Sequence, residues 1–194
     1  MRQETIQHVP PVELTMSSPV LVALKGFPGS GKSAIGRAVS ARLGWPLIDK
    51  DDILDVLIGQ HHDAGRLAYD TMWRVARRQL IQGFSVVCDS PLSHPIGYQA
   101  ARRIVAETGA RLGIVECRCS NETLWRKRVE ARVADGLPSH RATPWDRLLV
   151  IRDRVTDQAS YAITDPLLVV DTARDLDELL PAIIGWLADL SFHP

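Results

Sequence analysis

The chain has 194 residues, with 23 basic and 23 acidic side chains and a formal net charge of zero. That length suits one α/β domain with an ample core, and the charge balance excludes a global field that would draw the chain to nucleic acid or to an anionic membrane. Cys88, Cys117 and Cys119 match no disulfide or zinc spacing and no stretch is apolar for long enough to span a bilayer, so a reducing cytoplasm is the expected setting.

Residues 1–18 lack periodicity and read as a flexible extension ahead of a single domain over 19–194. Val20–Leu24 is a short apolar run expected to be a buried strand. A glycine-rich turn follows, and Ala34–Leu43 carries helical periodicity. Pro46–Ile48 is the second strand, and Asp52–Ile58 and Leu67–Gln82 are helical, the latter ended by Gly83. Ser85–Asp89 is the third strand, Pro95–Thr108 a helix stopped by Gly109, and Arg111–Cys117 the fourth strand. Asn121 or Ser120 caps a helix that runs to about Ala134, and Gly136-Leu137-Pro138 breaks it. A helix over Pro144–Asp157, a fifth strand over Leu167–Val170 and an amphipathic helix over Leu176–Leu190 complete the chain. Repeated βα units predict an α/β fold, a parallel sheet with helices on both faces.

The turn after the first strand is Gly26-Phe27-Pro28-Gly29-Ser30-Gly31-Lys32-Ser33, a complete G-x-x-x-x-G-K-[ST] motif. Backbone N–H groups at a helix N-terminus form an anion cradle, and the glycines permit the close approach that side chains would block. Lys32 reaches the β- and γ-phosphates and the Ser33 hydroxyl ligates Mg²⁺. Gly26, Pro28, Gly29, Ser30, Gly31, Lys32 and Ser33 are therefore expected to bind a nucleoside triphosphate.

In a parallel sheet, ligands gather at the carboxyl ends of the strands. Asp49-Lys50-Asp51-Asp52, Asp89-Ser90 and Asp171-Thr172 fall at such ends. Phosphoryl transfer to a hydroxyl needs a carboxylate that orients the acceptor and takes its proton. Asp51 is assigned that catalytic role; Asp52 is read as a helix cap or an outer-shell magnesium contact, with Asp49 a weaker candidate for the same metal shell. Asp89 ends an apolar strand as a Walker-B-type metal contact would, or it holds substrate. Arg126, Arg128, Arg132 and Arg141 flank the Gly136 break, and Arg128 and Arg132, four apart, share a helix face. The segment 126–143 is read as a lid, with Arg128 and Arg132 neutralising the transferring phosphoryl group. Arg126 and Thr172 are assigned to the nucleotide. His61-His62 reads as a polar loop or the rim of the acceptor site, and Trp73 as core.

Together, the phosphate loop, Lys50-Asp51-Asp52, Asp89 and Arg128-x-x-x-Arg132 resemble the P-loop kinase superfamily. The likeness is greatest to the branch holding polynucleotide 5′-hydroxyl kinases, chloramphenicol phosphotransferase and zeta-toxin-like kinases, and extends to "AAA family ATPase" sequences. It spans about residues 20–172 and implies a three-layer fold with a five-stranded parallel sheet in the order 2-3-1-4-5. It also implies ATP·Mg²⁺ and transfer of the γ-phosphoryl group to a hydroxyl. Two positions depart from the polynucleotide kinases. Leu54 stands where they carry a substrate-phosphate arginine, and Ser90-Pro91 replaces a threonine-asparagine pair. With zero net charge, these departures favour a small-molecule acceptor such as a sugar, a nucleoside-like metabolite or an antibiotic over a nucleic acid. A polynucleotide 5′-hydroxyl kinase and a slow, non-catalytic nucleotide switch are the alternatives. No membrane partner is expected, and the assembly is read as a monomer or homodimer.

Overall fold

The computed structural model describes residues 18–141, 143–158 and 161–192. The expected N-terminal extension falls almost wholly outside them, as does the side chain of Arg141. Five strands, β1 (Val20–Lys25), β2 (Leu47–Asp49), β3 (Val86–Asp89), β4 (Arg111–Arg118) and β5 (Leu167–Asp171), form one parallel sheet in the order β2-β3-β1-β4-β5. Eight helices among the described residues connect them: α1 (Lys32–Leu43), α2 (Lys50–Leu57), α3 (Ala64–Ile81), α4 (Pro95–Thr108), α5 (Glu122–Ala134), α6 (Pro138–Arg141), α7 (Trp145–Gln158) and α8 (Leu176–Phe192).

Strand alternation sorts the central residues onto two faces. From β1, Leu21 and Ala23 pack with Met72 and Ala76 of α3 and Tyr98 and Ala101 of α4. Val20, Val22 and Leu24 pack on the other face with Ile35 and Val39 of α1 and Ile183 and Leu187 of α8. Because β1 is covered on both faces, all its central side chains are apolar, as in other doubly covered parallel sheets. A third, smaller core of Trp125, Val129, Trp145 and Leu148 joins α5 to α7. Trp73 is buried in the first core, as expected. The main sheet pairs carry register from Leu21↔Val86 to Leu24↔Asp89 and from Leu47↔Val87 to Asp49↔Asp89, so β1, β2 and β3 end side by side at one edge.

Two expectations are corrected. The helix assigned from Asp52 begins at Lys50, directly after β2, so Asp51 sits in its first turn rather than on a strand end. The Gly136 break is followed by α6, a four-residue helix that no periodicity could have announced.

Candidate active site

The phosphate loop turns between β1 and α1 and is packed from two sides. At Gly26 the backbone is left-handed (φ 145°), and an added Cβ would meet the Cys117 carbonyl oxygen at 2.4 Å. At Gly29 (φ 73°) an added Cβ would meet a Val129 methyl at 2.6 Å, so α5 presses directly on the loop. The Gly26 N–H donates to the Pro91 carbonyl at 3.1 Å, tying the loop to the segment after β3. Helix α1 opens on Lys32 after a left-handed Gly31, with no side-chain cap and no acid in its first turn. Its leading amides are thus left for an anion, where the helix dipole favours one.

Lys32 is buried, and its ammonium donates to the Phe27 carbonyl at 3.1 Å. Burial lowers its pKa, with the Asp89 charge opposing. A cleft of about 660 Å³ opens at the loop, lined by Gly31, Lys32 and Ser33 together with Arg128, Arg132 and Thr172. A cavity of about 230 Å³ adjoins it, sharing Lys32, Ser33, Asp51 and Arg132 and adding Asp89 and Ser90.

The acidic residues separate by position. Asp49 ends β2 and caps α2, its carboxylate accepting from the Asp51 N–H at 2.8 Å. The cap assigned to Asp52 therefore belongs to Asp49; Asp52 is exposed and lines the larger cleft. Asp51 faces both cavities, with Lys50 Nζ 2.5 Å from one oxygen and Arg132 Nη2 3.0 Å from the other. Burial pushes its carboxyl up, but these two cations hold it below the ordinary carboxylate value. Asp89 pairs with Asp49 across the strands, is 4% exposed, and has one oxygen without a hydrogen-bond partner. Burial, and then the Asp89 charge, raises the Asp49 pKa to about 6.

The arginines also divide. Arg132 reaches from α5 to Asp51. Arg128 donates to the Thr172 hydroxyl at 3.1 Å and to its carbonyl at 3.0 Å. The Thr172 hydroxyl is in turn 2.8 Å from the Ser30 carbonyl and 3.1 Å from that of Arg118, so Thr172 and Arg128 clamp the phosphate loop to the end of β5. Arg126 points away: its side chain is 59% exposed, pairs with Glu130 at 2.7 Å and lines neither cavity. This placement does not bring it to the nucleotide cleft with Arg128, since residues two apart on a helix do not share a face. His61 and His62 are exposed in the turn before α3, away from both cavities.

Three contacts had no sequence assignment. The Trp125 indole N–H donates to the Pro28 carbonyl at 2.8 Å, fastening α5 to the loop. The Ser139 N–H donates to Asp55 at 2.7 Å, joining α6 to α2. The Tyr161 hydroxyl donates to the carbonyl of Leu92 at 2.6 Å, where the backbone is left-handed (φ 43°), a costly conformation for a bulky side chain. Only Trp125 carried a usable signal: it lies four residues before Val129, on the one apolar stripe of α5.

An AAA domain family model matches residues 21–164. An uncharacterized protein of Mycobacterium tuberculosis is 33% identical over 115 residues, 52% of this chain and 23% of that protein, so the match spans under a quarter of the relative's length. Among solved structures, a provisionally assigned kinase from Chloroflexus aurantiacus aligns with a TM-score of 0.72 at 22% identity, covering 90% of this chain and 99% of that one. The APS kinase of Mycobacterium tuberculosis in complex with AMPPNP and APS aligns at 0.56 and 19% identity, covering 88% and 98%. These likenesses extend to the sheet order and to helices on both of its faces.

Proposed function

Because the chain belongs to the AAA domain family and has the P-loop kinase fold, we propose that it is an ATP-dependent kinase that transfers the γ-phosphoryl group to a hydroxyl of a small molecule. The observation that carries this reading is the meeting of Lys32 and Ser33 with Asp51 and Arg132 around two adjoining cavities. One cavity has the volume of a site for a drug-sized ligand, roughly 300–1,000 Å³, as a nucleotide requires. The smaller one shares Asp49 and Asp51 with it and adds Asp89.

In this reading the uncapped start of α1 and Lys32 bind the phosphates. Asp51 orients the acceptor hydroxyl and takes its proton. It does so once Arg132 turns from Asp51 to the phosphoryl oxygens, which frees the carboxylate and moves a positive charge to where negative charge develops. Mg²⁺ suits the donors present, since Ser33 and Asp89 offer hard oxygens and Asp89 keeps one of them unpartnered and buried. Ser33 would hold the ion directly, Asp89 through water, and Asp52 from the outer shell; when bound it would neutralise charge on the phosphates. Arg128 acts at a distance, by holding Thr172 against the loop.

The test is calorimetry of ATP·Mg²⁺ binding with an assay of acceptor-dependent ADP release. The proposal expects micromolar to millimolar ATP affinity that Lys32→Ala abolishes, and ADP release that rises when an acceptor is added. Binding unchanged in Lys32→Ala would refute the loop assignment.

A further inference from the structure

Among the described residues, five buried side-chain atoms have no hydrogen-bond partner. One, Ser30 Oγ, belongs to the phosphate loop. The other four, Asp89 Oδ2, Ser90 Oγ, Ser139 Oγ and His140 Nδ1, belong to residues that line the smaller cavity. Ser90 is 2% exposed. His140 Nδ1 lies 3.8 Å from an Asp135 oxygen, beyond hydrogen-bond reach. Buried polar atoms are nearly always paired, by protein or by water. With Asp89 given to the metal in the reading above, Ser90, Ser139 and His140 remain as three unpaired groups beside one cavity that a ligand could pair.

Their chemistry narrows that ligand. Each serine hydroxyl both donates and accepts, a carboxylate oxygen accepts, and an imidazole nitrogen does one or the other according to its tautomer. A set mixed in this way matches hydroxyl groups, which also do both. The three carboxylates of the lining, Asp49, Asp51 and Asp89, are balanced by three cations, Lys32, Lys50 and Arg132, and Lys50 and Arg132 are already paired with Asp51, so the cavity carries no excess charge and suits an uncharged ligand. The volume of about 230 Å³ lies below the roughly 300–1,000 Å³ of drug-sized sites and corresponds to about eight water volumes of ~30 Å³. No Phe, Tyr or Trp is among its described lining residues, so a nucleobase would find no ring to stack on. The two walls come from separate elements, Ser90 from the end of β3 and Ser139 and His140 from α6, which the Ser139–Asp55 bond holds against α2.

We infer that the smaller cavity is the acceptor pocket and that the acceptor is a compact, uncharged polyol of the sugar class, its hydroxyls read by Ser90, Ser139 and His140. This rests on the kinase reading above and narrows it. An acceptor hydroxyl oxygen bonds to the γ-phosphorus while the bond from that phosphorus to the β,γ-bridging oxygen breaks. ADP leaves with the bond's electron pair, and the hydroxyl proton passes to Asp51, which also lines the pocket. No further reactant is needed.

The experiment uses the full chain with ATP·Mg²⁺ and follows ADP release with three groups of acceptor: hexoses, pentoses and linear polyols; nucleosides; and an oligonucleotide with a 5′-hydroxyl. The expected result is at least about tenfold stimulation over water by a member of the first group and none by the other two. Ser90→Ala and Ser139→Ala should each raise the KM for that polyol about fivefold or more, the effect of one lost hydrogen bond. Their KM for ATP should stay within about twofold, which a folding defect would not allow. Acceptance of a nucleoside or of the oligonucleotide in place of the polyols overturns the inference. So does a polyol KM that neither variant moves, or ATP·Mg²⁺ binding with no polyol bound or phosphorylated. Calorimetric binding of a polyol with no transfer to it would instead uphold the pocket and overturn the kinase reading.

Discussion

Asp51 shares its two oxygens between Lys50 and Arg132, and the Arg132 bridge is partly open to solvent, with side chains 25% and 27% exposed. A bridge so placed adds at most about 1 kcal/mol to stability. Single variants at either residue should therefore fold, and their phenotype should lie in turnover. Asp51→Asn keeps the shape and removes the proton acceptor, so transfer should fall by roughly a hundredfold or more with ATP affinity within a few-fold. Asp52→Asn, at an exposed position that caps nothing, should cost much less. Should Asp52→Asn prove the more damaging in steady-state assays, the wrong aspartate has been assigned the proton. Arg132→Ala should lower kcat at least about tenfold if the guanidinium meets the transferring group.

At the scale of elements, the junction of β2 and α2 carries a measurable cost. Asp49 must cap α2 and end a strand beside Asp89, so it is held near an unlike pKa, raised to about 6 from 3.8 by burial and by the Asp89 charge. A carboxyl that binds its proton more tightly in the folded chain weakens the fold as pH rises between these two values, and fully above about 6. Asparagine caps a helix about as well as aspartate and carries no charge. Asp49→Asn should therefore stabilise the fold at pH 7.5, with chelator and without nucleotide, by on the order of 1–3 kcal/mol, read as a higher melting temperature. The gain should shrink towards zero near pH 4. An equal gain at both pH values would show that charge is not its cause. Helix α5 is fastened at its start, through Trp125 and Val129 against the loop, whereas α6 has four residues and one backbone bond to Asp55. Hydrogen exchange should find the amides of 139–141 opening well before those of 125–130, and ATP·Mg²⁺ should slow the former. Equal protection across 125–141 would count against a lid over 126–143.

Over the whole molecule, what the sequence revealed depended on how local the cause was. Runs such as Val20–Leu24 and Val86–Val87 are apolar because both sheet faces are covered, and that leaves a mark in a single stretch of chain. Helix α5 was readable from its periodicity to its end at Ala134, with Asn121, one of the two caps weighed, in place, whereas the separation of Arg126 from Arg132 was not read although helical spacing contains it. The identity of the cap in Asp49-Lys50-Asp51-Asp52 was not readable. Three carboxylates within four residues can each cap a helix, and only the packing of β2 fixes where α2 starts. The Thr172 clamp was hidden for another reason: it joins residues 142 apart, and nothing near Thr172 in the chain records Ser30. The same holds for the four unpaired atoms of the smaller cavity, which come together only when α6 meets the end of β3.

Trp125 has a consequence for observing the molecule at work. Its indole bonds to the phosphate loop at Pro28, sits 6.1 Å from the Phe27 ring, and meets the Trp145 ring edge-on at 5.2 Å. A fluorophore so coupled reports on the loop without any added label. Nucleotide seated on Gly29 to Ser33 should shift its emission, with an amplitude lost in Trp125→Phe and kept in Trp73→Phe, whose ring lies in the distant core. Titration of that signal gives nucleotide affinity in a single cuvette, before any acceptor is known.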